Sequence, residues 1–220
     1  MCHLIGLAGS DTRPIATSIL YSTFPFMGCG DLTIIRPLIR PKRLWSWREL
    51  RSSPTYPPAS PGVYAWWFRE IPPGVPTWGT ERHHRYRLLY VGISPSKPSA
   101  STGKQSKQNV RERLRYHFSG NASGSTLRMT LGSLLLKELK LKPVATDSGS
   151  IRFGTGEDRL DEWMARWARV CWIEYERPWE LEDVAIRGLR LPLNIQGNND
   201  EEFRAVLKRA RARARASARE

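Results

Sequence analysis

The sequence predicts an α/β domain of the α+β kind, a small central sheet of about three strands flanked by helices. Two patterns carry that expectation. Three short runs, Gly62–Phe68 (GVYAWWF), residues 88–94 (LLYVGIS) and residues 168–175 (ARVCWIEY), are dense in aromatic and β-branched side chains, and Pro or Gly bounds the first two. Runs that short and so bounded favour strands over helices. Between and after them, apolar residues recur at helical spacing, which turns one face of each segment toward a core.

Residues 1–43 are expected to form a largely disordered leader, because regular patterning is missing from the first 26 and Met27 offers a second place for translation to start. The apolar run at residues 15–27 is broken by Ser, Thr and Pro and lacks a basic start, so it makes a poor signal peptide. The domain proper is placed at residues 44–200. A short helix is expected over 44–50, stopped by the prolines of SSPTYPPASP. The first two strands should pair antiparallel across a long connection. His83 and His84 fall in it and are read as loop residues, since adjacent side chains diverge too far to serve alone as a metal pair.

A polar stretch at 95–108 has no apolar period and should be a loop. In NVRERLRYHF, Val110, Leu114 and Phe118 make the core stripe of a helix, and Arg113 and His117 stack on one face beside it. SGNASGS breaks that helix, residues 125–141 read as a second one, and 148–153 are too short to assign. A helix over 157–167 precedes the third strand. Pro178 suits the first turn of the next helix, as do Glu180, Glu182 and Asp183 at its positive end, and the helix should stop near Gly188. Residues 201–220 form a basic C-terminal helix or tail. Phe203, Val206, Leu207 and Ala210 would dock one face, while RARARARASARE spreads its arginines around the axis.

Charge narrows the function. The formal net charge is +14, and a polyanion is the natural partner of such an excess. Residues 1–156 hold 22 Lys+Arg against 8 Asp+Glu, residues 157–202 hold 6 against 12, and residues 203–220 hold 7 against 1. Phosphate contacts are therefore expected from the basic parts: Lys97, Lys104, Lys107, Arg111 and Arg115 in the body, and Arg209, Arg211 and Arg213 in the tail. The acidic segment is where carboxylates could hold a metal. Three cysteines without CxxC spacing fit a reducing, cytoplasmic setting, and no stretch approaches the ~20 apolar residues of a membrane span.

Gly62-Val63-Tyr64 and Tyr90-Val91-Gly92 lie on two predicted strands, Arg113 and His117 follow on a helix, and Glu182 stands twelve residues before Asn194, with Pro192 just ahead of it. In order and spacing these residues resemble the signature elements of the GIY-YIG nuclease superfamily, with Val for Ile in both tripeptides, over roughly residues 61–194. The resemblance implies a divalent-metal-dependent endonuclease that hydrolyses phosphodiester bonds, of DNA more than RNA, with Tyr64 as general base toward water. It implies that Tyr90 positions water or phosphate, that His117 assists proton transfer, that Glu182 holds Mg²⁺ (or Mn²⁺), and that Asn194 steadies the turn. Arg113 can grip phosphate and lower the phenol's pKa. Two departures stand out: the first two strands are joined by a longer connection, and Ile93 and Ser94 stand where some members place a Lys, leaving that task to Lys97 or Lys104. A non-catalytic nucleic-acid-binding module on the same fold is the alternative, and a partner-binding protein with solubilising arginines a third.

Overall fold

A run of aromatic residues sets the architecture. In the computed structural model, which describes residues 31–198 and 200–219, Gly62–Phe68 is β1 and every residue in it is buried. A strand buried on both sides must lie between two layers. Alternation sends Tyr64, Trp66 and Phe68 into one cluster and Val63, Ala65 and Trp67 into the other. Beside it, β2 (Arg82–His83) pairs with the start of β3 (Tyr86–Ser94), and β1 lies antiparallel to both β3 and β6 (Ala168–Glu174), in the order β2-β3-β1-β6. The three expected strands carry the sheet. The fourth is a two-residue edge that corrects the reading of His83 as a loop residue, while His84 turns the chain at φ 52°.

The first layer contains α4 (Val110–Ser119), α5 (Thr126–Leu134), α6 (Gly156–Trp167) and α8 (Glu201–Ser217), which bury Leu114, Phe118, Leu127, Leu131, Leu160, Met164, Phe203 and Leu207 against Trp66 and Phe68. On the second face lie α7 (Pro178–Gly188), through Leu181 and Ala185, and the short α1 (Asp31–Ile34) and α2 (Arg36–Ile39), around which Ile35 and Leu38 are fully buried. Residues 31–43 therefore belong to the packed body, which corrects the expected leader boundary at 43; residues 1–30, Met27 included, lie outside the described residues. The reason is that the second face of β6 needs a cover. α2 packs on it, and Cys171 Sγ lies 3.8 Å from the carbonyl of Leu38.

Two helix boundaries also moved. α3 (Trp47–Ser52) starts later than residue 44 because Trp45 is drawn into a β-bridge with Val170, and Ser46 with Glu49 makes a capping box. α5 stops at Leu134, short of 141, because the chain leaves through turns that close Leu139 N–H on Leu135 O and Leu141 N–H on Leu136 O, with Lys140 at φ 49°. Residues 144–152 then make a small hairpin of β4 (Val144–Ala145) and β5 (Ile151–Arg152). α8 continues through the alternating arginines to Ser217, with Ala214 fully buried. Among the described residues no helix is long and apolar enough to cross a membrane.

Candidate active site

Two glycines seat the first tyrosine. Tyr64 on β1 stands opposite Gly92 on β3, and a Cβ at Gly92 would lie 2.7 Å from the Tyr64 hydroxyl and 2.9 Å from its ring. The ring thus lies across the one residue type that leaves it room. A side chain at Gly62 would collide with the Ile173 carbonyl of the neighbouring strand. Tyr90 stands opposite Trp66, and the register then slips, leaving Leu89 as the extra residue of a bulge; Leu89 and Tyr90 both turn into the first layer.

α4 delivers the next two groups. Asn109 and Glu112 form its capping box, which starts the helix so that Leu114 and Phe118 reach the core and His117 faces β1. His117 is fully buried, its Nε2 is 2.9 Å from the Tyr64 hydroxyl, and its Nδ1 is 2.7 Å from Ser125 Oγ. Burial, with Arg113 and Arg128 nearby, holds the imidazole well below its usual pKa, so it is neutral at pH 7. Ser125 caps α5 by accepting the Arg128 N–H at 3.1 Å, and His117 Nδ1 is its other neighbour among the described residues. The ring thus bridges two buried hydroxyls, Ser125 at Nδ1 and Tyr64 at Nε2, and the nitrogen that carries its proton is set by which hydroxyl donates to it.

Tyr64 itself is 1% exposed, and burial pushes its phenol up to about 12; the Arg113 guanidinium opposes the rise and the Glu182 carboxylate adds to it. Tyr90 is raised by burial as well, with Tyr64 and Glu182 adding and Arg113 and Arg211 opposing. Both phenols thus lie within electrostatic reach of a cation and a carboxylate from distant parts of the chain. Arg113 also donates to the Gly124 carbonyl at 2.9 Å, which ties it to the turn before α5.

Glu182 sits on α7 beside Leu181, and with Tyr90, Thr126, Asp183, Asn194 and Arg211 it lines a cavity of about 480 Å³. Burial and then the neighbouring Asp183 raise its carboxyl to about 7. It accepts no hydrogen bond and pairs with no cation among the described residues. A half-buried carboxylate in that condition fits a hard divalent ion, with Asp183 as the adjacent oxygen donor. No three His, Cys, Asp or Glu side chains converge among the described residues, so the protein's share of such a site is one or two oxygens. Asn194 is buried and spends its amide on the backbone: Val91 N–H donates to its Oδ1 at 3.0 Å, and its Nδ2 donates to Val91 O at 2.8 Å. With Leu193 N–H on Leu89 O, it closes the free edge of β3 as a strand would and holds Tyr90 in place. Its amide thus ties the turn after α7 to β3.

The structure separates the other basic residues expected at the site. Arg111 donates to the carbonyls of Pro57 (2.6 Å) and Thr55 (2.7 Å), and Arg115 reaches Ser53 O at 3.5 Å, so both tie α4 to the loop before β1. Lys97, Lys104 and Lys107 are exposed on the loop between β3 and α4, Arg209 and Arg213 are exposed on α8, and none of the five lines the cavity. Arg211 does. Sequence reasoning missed Ser125 and Arg128. Ser125 had a signal, a Ser heading a helix. Arg128 had none: fully buried, it donates to His117 O and Phe118 O at 3.1 Å each and pairs with Glu157 and Asp161 at 2.6 Å, clamping the end of α4 that carries His117.

Residues 62–213, more than half of the chain, match the family model described as the GIY-YIG catalytic domain. No curated protein and no solved structure shows a significant match. The match spans both tyrosine strands, α4, Glu182 and the greater part of α8. The chain therefore belongs to the GIY-YIG catalytic-domain family, a family of nucleases that generally use divalent metal ions.

Proposed function

We propose that the protein is a divalent-metal-dependent endonuclease of the cytoplasm that hydrolyses the phosphodiester backbone of DNA, with Tyr64 as the base that activates water. The observation that carries this is the Tyr64 oxygen itself, held 2.9 Å from His117 Nε2 and acted on by Arg113. A phenol near pKa 12 is a poor base at neutral pH. An N–H from a neutral imidazole and a guanidinium on the same oxygen, however, form a receptor for the phenolate. His117 thus assists proton transfer by stabilising the anion, and Ser125 sets the tautomer that lets it do so. The phenol's own proton is released to solvent as the phenolate forms, and Tyr64 then accepts the proton of a water attacking phosphorus in line, while the neighbouring Tyr90 hydroxyl positions water or a phosphate oxygen.

Glu182, with Asp183 beside it, would hold Mg²⁺ or Mn²⁺, and a bound ion supplies charge neutralisation on the phosphate oxygens and at the leaving group. Burial keeps Glu182 half-protonated near pH 7 until a cation competes for it. The test is supercoiled plasmid incubated with Mg²⁺ or with chelator, for the wild-type chain and for Tyr64→Phe. Nicking by wild type only with metal is expected, and Tyr64→Phe should bind DNA normally while cleaving about 10²–10⁴-fold more slowly. Wild-type binding without any cleavage would instead establish the non-catalytic binding module, and Tyr64→Phe cleaving at the wild-type rate would remove tyrosine as the base.

A further inference from the structure

Arg211 stands in an unusual place for a residue of an alternating Arg-Ala tail. α8 docks through Phe203, Leu207 and Ala214, spaced so that position 211 falls on the same side of the helix. Its side chain is half-buried, its Nε is shut off from solvent without a partner, and it lines the cavity that holds Tyr90 and Glu182. No carboxylate among the described residues pairs with it. Glu182 and Arg211 share the cavity without pairing, and both act on the Tyr90 hydroxyl. Desolvating a guanidinium without an acceptor is unfavourable, and the strain shows in its pKa, which burial and the adjacent Arg215 pull down. An arginine left in that state lacks an anion.

We infer that Arg211 is a substrate ligand inside the cleavage site, its guanidinium gripping the non-bridging oxygens of a backbone phosphate in the cavity it shares with Glu182. This rests on the nuclease reading above. The occupant is a phosphodiester because the cavity places Tyr90, the Glu182 carboxylate and a planar two-pronged donor around one space, and a guanidinium matches two phosphate oxygens at once. The C-terminal helix is thereby part of the active site, while the exposed Arg209 and Arg213 lie on its other face.

The experiment compares the full-length wild type with Arg211→Met and Arg211→Lys, reading melting temperature in chelator, oligonucleotide binding, and cleavage with Mg²⁺. Arg211→Met keeps the apolar stem and removes an unpaired buried charge, so its melting temperature should equal or exceed that of wild type while kcat/KM falls about 10²-fold. Arg211→Lys should restore only part of the rate, because a point charge cannot bridge two oxygens. Duplexes carrying a methylphosphonate at one position in turn should reveal a phosphate whose neutralisation slows wild type to the rate of Arg211→Met and slows Arg211→Met no further. Cleavage by Arg211→Met at the wild-type rate would overturn the inference. So would a lowered melting temperature with full cleavage restored on cooling, since that marks a mere packing role. If wild type itself cleaves nothing, the nuclease reading fails separately, and Arg211 is then judged by whether the methylphosphonate that weakens wild-type binding leaves Arg211→Met unaffected.

Discussion

Ser125 does two jobs with one hydroxyl: it accepts the Arg128 N–H as the cap of α5 and meets His117 Nδ1 at 2.7 Å. The second job decides whether His117 offers Tyr64 a proton or a lone pair. In the wild-type chain, ¹⁵N shifts of the His117 ring should report the Nε2–H tautomer between pH 6 and 8, and the Nδ1–H form would sink the phenolate receptor. Ser125→Ala should lose about 0.5–2 kcal/mol of stability through the cap and lower kcat more than that loss explains, while KM holds. The Tyr64 ring and hydroxyl explain why Gly92 is a glycine, since any side chain there meets them. Tyr64 is thus confined by β3 on one side and His117 on the other, which is the preorganisation a base needs.

Elements hold these residues by covering what the sheet leaves open. On the edge away from β1, β3 has no strand partner among the described residues beyond β2 at residues 86–87, and the turn after α7 supplies one through Leu193 and the Asn194 amide. On the second face the cover is α1, α2 and α7, and Leu38 is one of its fully buried side chains. Leu38→Ala should therefore cost about 2–5 kcal/mol in urea unfolding, as a cavity in a closed core does. A loss under ~0.5 kcal/mol would show that this segment is a dispensable leader after all. α8 covers the first face, and it does so with the end of the chain that charge counting alone assigns to solvent.

At the scale of the whole molecule, stability and function are linked through pH. The folded protein raises Glu182 from 4.5 to about 7, so between those values the native state binds more protons than the unfolded chain, and stability falls as pH rises through the window. His117 works in the opposite sense: its folded pKa is depressed, so its contribution is present above about 6.5 and lost as pH falls below it. Comparing Glu182→Gln with wild type isolates the first effect. In chelator the variant should match wild type near pH 4.5 and gain on it up to pH 8, by on the order of 1–3 kcal/mol. A constant difference across that range would mean the carboxylate is not desolvated. Added Mg²⁺ should stabilise wild type above pH 7 and leave Glu182→Gln unmoved.

Local pattern determined β1, β3 and β6, the start of α4 and the bounds of α7, because each is written in nearest-neighbour chemistry: aromatic runs, an Asn-x-x-Glu box, a Pro at the first turn and a Gly at the last. The signature residues Tyr64, Tyr90, Arg113, His117 and Glu182 were legible for the same reason, since order and spacing are properties of the chain alone. What tertiary structure decided is which charges are spent and which are left over. Arg111 and Arg115 read as free surface charges until they are seen to reach the carbonyls of Ser53, Thr55 and Pro57. Arg128 looks like a surface charge until it is found clamping His117, and Arg211 looks like a tail residue until the docking of α8 turns it into the cavity. A side chain's partner can come from anywhere in the sequence, and only the packing of layers brings the two together.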